Sequence, residues 1–466
     1  MIGPFLIALL LGAAAPEEAP RTPYLDRRAE PMEYPGPGRD DPAPGGLTEV
    51  RIGWFGPSDP ADPERGDFWA GALLAVEEIN KEGGVSGLPV RLVPGWSESP
   101  WAGGVNRLVR MVYEDHVWAI LGSIDGAATH LAEQVVAKAL VPLVSPGSTD
   151  KTVSFAGVPW MFTLLPGDDV QAAALAGWTS RQPEARPVTL ISATDHDSRA
   201  AAAEFRAAFS RAGIPFAADL QCAPDAADAA GVADQIVPRG GLTSASAPGA
   251  GSAAGPSASR PPGAVVVLAS PRASGRIASA LRAAGYLGAI LGGSNLARRA
   301  FLETAGTAAE EAVFPLIHDP ADPRWTRFAR DFAQRHSREP DFAAGAAYDA
   351  LRLLVEAARR AGLNRARILD TLRALSPWPG VTGEVRFDNL GRNLRPVRLG
   401  TIREGKVVAL DSPLPTPSAR SKASADAVHL FTPHTAAPPI PGAPSSAPSA
   451  AFSPHPEQTL TRGLPA

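Results

Sequence analysis

The feature that most constrains this chain is a repeated alternation of short, β-branched apolar runs with amphipathic helical stretches. Residues 49–55 (EVRIGWF) have a strand pattern, and 67–81 (DFWAGALLAVEEINK) carry apolar residues at helical spacing up to Gly83 and Gly84. The series continues with a strand at 90–93, a helix at 105–113, a strand at 117–121, a helix at 127–139 and a strand at 141–144. Apolar runs joined by helical crossovers pair in parallel with both faces covered, so four strands and three crossovers predict half of a parallel sheet. A second series predicts a second α/β lobe: strand 188–192, helix 199–212, strand 265–269, helix 274–284 and strand 289–291. Helices follow at 325–336, 343–361 and 365–375, then strand-like pieces at 383–387, 396–401 and 406–410.

With 466 residues, 45% of them hydrophobic and 20% charged, the chain can bury a sizeable core in two or three domains. Three segments fall outside the alternating pattern. Residues 16–48 hold eight prolines and no apolar periodicity, which predicts a disordered linker. Beyond Asp411, the last 55 residues hold 12 prolines with many Ser and Ala and read as a disordered tail. The stretch 238–263 reads as a low-complexity insertion in a surface loop. At the start, an apolar run over 2–11 and the small residues 12–15 have the pattern of a signal peptide, atypical in lacking a preceding Lys or Arg. That run is shorter than the roughly 20 apolar residues that span a bilayer. The expected product is a soluble exported protein beginning near Pro16.

A net charge of −4 provides no basic field for a phosphate backbone, so nucleic acid is excluded as a partner. Cys222 is the single cysteine, which excludes an intrachain disulfide and any multi-cysteine metal centre. H-E-x-x-H, G-x-S-x-G, G-x-x-x-x-G-K-[ST] and C-x-x-C are all absent, and the eight histidines show no metal-ligand spacing. No catalysis, cofactor or metal is expected on these grounds.

The strings VRIGWFGPSDP, GALLAVEEINKEGGVSGLPVRLV and VWAILGSIDGAATHLAEQVVAKALVPLVSPGSTD resemble the N-terminal lobe of type I periplasmic binding proteins, in the leucine/isoleucine/valine-binding branch that serves ABC transporters. The similarity continues through VPWMFTLLPGDDVQ, FLETAGTAAEEAVFP, AAYDALRLLVEAARRAG and GVTGEVRFDNLG. It implies two Rossmann-like lobes joined by a three-segment hinge, with crossings near Pro166, near Phe314 and Pro315, and near Trp378–Gly380. Lobe 1 would then be 49–166 plus 316–378, and lobe 2 would be 167–315 plus 379–411. The implied function is periplasmic capture of a small polar ligand, such as an amino acid or amide, by closure of the cleft, with an ABC permease as partner. The same fold also serves ligand sensors that act on a signalling or regulatory partner. A hydrolase with Ser145 as nucleophile and His130 as base is a reading of a different class.

The resemblance also implies a site. In GSIDGA the amides of Gly126 and Ala127 would meet an anion at a helix start, with Gly126 standing where the family usually has serine. In SPGSTD, Thr149 would hold a ligand carboxylate and the carbonyl of Gly147 its ammonium. Lobe 2 departs from the family: ATDHDSR offers Asp197 without an aromatic, and GGSN puts Ser294 where amino-acid binders often keep an acid. Asp125 and Asp197 are the candidate acceptors for an ammonium, or else helix caps. Ser270 completes the lobe-2 contacts. Trp96 and Trp101 are expected to line the opening, while Trp54 and Trp160 are expected in the core. His130 and His196 could neighbour the cleft and read as polar contacts or surface residues.

Overall fold

The computed structural model describes residues 34–97, 103–155, 157–237 and 262–410. The signal segment, the insertion over 238–261 and the tail from 411 lie outside the described residues, as does Trp101.

The first half runs β1 (Val50–Phe55), α1 (Gly66–Lys81), β2 (Val90–Pro94), α2 (Val105–Tyr113), β3 (Ala119–Gly122), α3 (Gly126–Ala139), β4 (Leu143–Ser145) and β5 (Met161–Pro166). The chain then enters α4 (Asp168–Thr179), β6 (Val188–Ala193), α5 (His196–Arg211), β7 (Ala218–Cys222), α6 (Ala229–Ile236), β8 (Ala264–Leu268), α7 (Pro271–Ala283), β9 (Ala289–Gly292), α8 (Arg299–Ala305) and β10 (Val313–Leu316). It closes with α9 (Pro323–His336), α10 (Phe342–Ala361), α11 (Arg365–Ala374), β11 (Trp378–Gly380), β12 (Gly383–Val385), β13 (Arg392–Asn393), β14 (Arg398–Arg403) and β15 (Lys406–Ala409).

These elements build two sheets. The first has order β13-β5-β4-β3-β1-β2 and is parallel throughout. The second has order β15-β14-β10-β9-β8-β6-β7, parallel from β7 to β10 and antiparallel beyond. The central strands β3, β6, β8 and β9 are buried at every position, as expected for strands covered by helices on both faces. In each sheet the first, second, third, fourth and fifth strands lie in the order 2-1-3-4-5, so the strand order reverses between β1 and β3 and between β6 and β8. Ligands of such sheets bind beyond the carboxyl ends of the strands at that reversal.

Two expectations about the layout need correction. β13 pairs with β5, so the chain stays with the first lobe through Asn393 and crosses for the third time before β14, not at Trp378–Gly380. Trp378–Gly380 instead forms a hairpin with Gly383–Val385. The second correction concerns 34–48, expected within an unordered linker. Tyr34 is fully buried and edge-on to Trp160, at 4.9 Å between ring centroids. Its amide donates to Asp370 at 2.8 Å, and Arg39 pairs with the same carboxylate. The Asn364 side chain donates to the carbonyls of Gly38, Arg39 and Asp41. One aromatic anchor and a set of side-chain donors on lobe 1 offset the ordering entropy of a proline-rich segment that has little apolar surface of its own.

Several elements are not marked by pattern alone. β5 is an apolar run that ends on Pro166, and α4 starts directly after it at two aspartates. β7 is mostly exposed on the sheet edge and lacks a strand's apolar signal.

Candidate functional site: the interlobe cleft

Loops at the carboxyl ends of β1, β3 and β4 in lobe 1 face those of β6, β8 and β9 in lobe 2. Between them lies a cavity of about 250 Å³, lined by residues of both lobes, including Asp125, Gly147, Thr149, Asp168, Asp197, Ser270 and Ser294. A larger depression, about 920 Å³, opens where segment 37–49 lies over the amino ends of β1 and β3. The cleft is the stronger candidate, because loops and helix N-termini with free donors collect at the carboxyl ends of parallel strands.

The helix starts explain much of the geometry. Asp125 caps α3, accepting from the Ala128 amide at 2.7 Å. Asp195 caps α5 through Ser198, and Ser270 caps α7 with Pro271 in the first turn. The amides of Gly126 and Ala127, expected to meet an anion, donate to the two oxygens of Asp197 at 2.9 and 3.1 Å. A lobe-2 carboxylate thus occupies the positive end of a lobe-1 helix. This also accounts for glycine at 126. A Cβ there would lie 2.9 Å from both Asp197 Oδ1 and the Asp150 Cβ, so a serine at 126 requires these side chains to shift.

The reciprocal contact runs the other way. Glu64, in the loop after β1, accepts from the Ser270 hydroxyl at 3.1 Å and from the Arg272 amide at 2.7 Å at the start of α7. Each lobe therefore caps a helix of the other. Further bridges join Lys151 to Glu204 at 2.7 Å and Arg298 to Asp341 at 2.6 Å, the latter with both side chains buried. Arg298 lies over the Phe68 and Phe342 rings and donates to the Glu64 carbonyl, so its stem and charge are both used in joining the lobes.

Thr149 lines the cavity, but its hydroxyl is engaged by Asp168, whose own amide donates to the Thr149 carbonyl at 2.8 Å. Gly147 sits where a Cβ would strike the Ile124 carbonyl at 2.1 Å, so only glycine lets the β3 and β4 loops approach this closely. The Ser294 amide donates to the Gln171 side chain at 3.1 Å, and Asn295 donates to the Ala269 carbonyl.

The cleft is therefore rich in acids. Burial pushes Asp125 up to about 7, and the Asp197 charge adds to the shift. Burial also raises Asp168 well above the ordinary carboxylate range, and it raises Asp197 against the opposing pull of the Gly126 amide. Carboxylates held this way favour a cationic or hydrogen-donating partner and disfavour an added anion.

Two sequence expectations fail here. Trp96 does not line the cavity: it follows β2, the edge strand of its sheet, and packs on Phe55 with centroids 5.3 Å apart. Ser145 is fully buried, donating to the Ser123 carbonyl and accepting from the Ser148 amide, while His130 faces Asp150 and Thr152. The pair cannot act as nucleophile and base. Trp54 and Trp160 are core residues, both almost wholly buried. Sequence reasoning missed Glu64, Arg65, Asp168, Gln171 and Arg298 among the lining residues. The position of Glu64 and Arg65 after β1, and of Asp168 after the Pro166 crossing, was the available signal.

Two parallel-sheet lobes facing each other across a polar cleft define the class of bilobed binding proteins. This chain belongs to the periplasmic binding protein family, whose sequence profile matches residues 49–406. It is similar to an amino acid binding protein of Pseudomonas aeruginosa, 29% identical over 169 residues, which is 36% of this chain and 45% of that protein, so the match spans less than half of the relative. Among solved structures it resembles the branched-chain amino acid transporter substrate binding protein LivJ of Streptococcus pneumoniae, in complex with isoleucine, at 24% identity and a TM-score of 0.67, covering 78% of this chain and 98% of that one. A solute binding protein of an ABC transporter from Rhodopseudomonas palustris, in complex with 3,4-dihydroxybenzoic acid, matches at 15% identity and a TM-score of 0.65, covering 78% and 97%. At these identities the structural likenesses establish the fold.

Proposed function

We propose that this chain is an extracytoplasmic solute-binding protein of an ABC transporter that captures a small polar solute between its lobes, without catalysis or a cofactor. The observation that carries this reading is the cavity at the strand-order reversal of both lobes, with polar groups converging on it from each side. Closure is driven by whatever extra affinity the solute has for the closed form, and a permease would read that form. The family match and the apolar run at 2–11 support a periplasmic location. Among the described residues, no helix is long and apolar enough to cross a membrane.

The chemistry of the cleft narrows the solute. Asp125, Asp168 and Asp197, with the Gly147 carbonyl, supply acceptors for an ammonium, guanidinium or amide group. The amides of Gly126 and Ala127, expected to meet a ligand anion, are taken by Asp197. A solute that binds through a cationic or amide end therefore fits better than one anchored first by its α-carboxylate. A cavity of about 250 Å³ suits a solute smaller than drug-sized ligands, whose pockets run from roughly 300 to 1,000 Å³.

The test is a thermal-shift screen of amines, guanidines, amides and amino acids on purified protein, followed by calorimetry of the best hit in wild type and Thr149→Ala. A stabilising hit whose affinity drops in the variant supports the reading. A hit that is indifferent to Thr149→Ala places the solute elsewhere.

A further inference from the structure

The cleft mouth contains a second cluster that the solute-binding reading does not use. His130 lies on the second turn of α3, Asp150 in the loop after β4, and His196 at the first position of α5 in the other lobe. The Nε2 atoms of both histidines lie against one oxygen, Asp150 Oδ2, at 3.2 and 3.1 Å, and that of His130 is also 3.0 Å from the Thr152 hydroxyl. The ligand atoms of all three lie within 4.8 Å of one another.

The surroundings orient each group toward a common point. Asp150 Oδ1 is held by the amide and hydroxyl of Thr152 at 2.8 and 2.7 Å, which leaves Oδ2 turned to the imidazoles. The other ring nitrogen of His130, Nδ1, lies 3.6 Å from the Glu133 carboxylate. A carboxylate behind a histidine, with the far nitrogen aimed at a shared centre, is the outer-shell pattern of metal-binding imidazoles. Around zinc, with Zn–N and Zn–O distances of about 2.0–2.1 Å, neighbouring tetrahedral ligand atoms lie about 3.3 Å apart. The two His–Asp separations are close to that edge length. The Asp150 side chain is 4% exposed and His196 is 44% exposed, so the cluster has a buried floor and an open side where water can supply a fourth ligand.

We propose that His130, Asp150 and His196 form a binding site for one divalent metal ion of the imidazole-preferring class, such as Zn²⁺, and that the bound ion clasps the two lobes together. Two nitrogen ligands select this class over Mg²⁺ and Ca²⁺, which take oxygen shells. Because ligands come from both lobes, the metal binds the closed arrangement better than the open one and shifts the population toward it. The three residues are 20 and 46 positions apart in sequence, which is why motif spacing gives no sign of them. The inference does not depend on the identity of the solute.

The experiment uses the full chain stripped with a chelator and titrated calorimetrically with ZnCl₂, with MgCl₂ and CaCl₂ as comparisons and no solute present. One Zn²⁺ per chain is expected, with affinity reduced about tenfold or more in His196→Ala and in Asp150→Asn. X-ray scattering is expected to report a smaller radius of gyration with Zn²⁺ in wild type and no change in His196→Ala. His196 is half-exposed at a helix start, so this variant keeps the fold, and circular dichroism checks it. Absence of saturable Zn²⁺ binding overturns the proposal. So does binding that survives both substitutions, since other groups would then be holding the ion. Loss of Zn²⁺ binding with unchanged scattering would retain the site and overturn the clasp.

Discussion

The Asp197 carboxylate of lobe 2 accepts the first two free amides of α3 in lobe 1, from Gly126 at 2.9 Å and from Ala127 at 3.1 Å. A side chain of the protein thus stands where a helix N-terminus would receive an outside anion. The contact ties the lobes and occupies amides that an anion could otherwise meet.

Removing that carboxylate should open the α3 terminus. Asp197→Ala is expected to raise affinity for amino acids that carry a free α-carboxylate, by about tenfold if one charge-assisted hydrogen-bond pair is regained. Calorimetry with a panel of amino acids and their amides measures this. If acids and amides respond alike, Asp197 does not compete for that position. Gly126→Ser should push Asp197 away from α3, because its Cβ would lie 2.9 Å from Asp197 Oδ1.

Glu64 makes the reciprocal cap on α7, through Ser270 and the Arg272 amide. Glu64→Ala is expected to shift the open–closed balance toward open by roughly tenfold, the equivalent of about 1.4 kcal/mol for a hydrogen-bonded charge. Small-angle scattering of the solute-free protein should show a larger radius of gyration. An unchanged profile would mean that Arg298 and Lys151 hold the lobes without it.

His318 is buried against Trp325, with ring centroids 3.7 Å apart, and its Nδ1 has no hydrogen-bond partner among the described residues. Burial lowers its pKa from 6.5 to about 4, Asp341 and Asp319 opposing and Arg395 reinforcing. The unfolded chain therefore takes up this proton first as pH falls. The stability from His318 is fully present above about 6.5 and is lost progressively toward pH 4, on the order of 2–3 kcal/mol. Denaturant melts across this range should be flatter in His318→Phe, which keeps the stacking. An equal slope would assign the acid sensitivity to other groups.

Tyr34 anchors the segment that precedes β1. Tyr34→Ala should cost about 3 kcal/mol, as for other buried aromatic truncations, and should free 34–48 to proteolysis. Its buried hydroxyl has no partner among the described residues, so Tyr34→Phe should be neutral or mildly stabilising. Urea melts of both variants check this, and equal loss in the two would place the energy in the hydroxyl.

The lobes were legible because parallel strands buried on both faces leave continuous apolar runs, such as AILG at both β3 and β9, between helical stretches. Asp125, Gly126, Gly147, Thr149, Asp197, Ser270 and Ser294 were named by matching the family's motifs, and each lines the cavity or meets a partner across it. Trp96 was misplaced because sequence does not say that β2 is an edge strand, and the third crossing was misplaced because the two-residue β13 has no periodicity to read.

The alternation of apolar runs with helices, read along the chain, was enough to determine a two-lobed α/β protein, while the candidate ligand loops came from the resemblance to a known family. Only the tertiary structure decided that Asp197 sits on α3, that Glu64 reaches α7, and that His130, Asp150 and His196 converge. Local periodicity records which face of an element is buried. Contacts between residues 71 and 206 positions apart depend on how the two sheets are set against each other, and no local pattern encodes that.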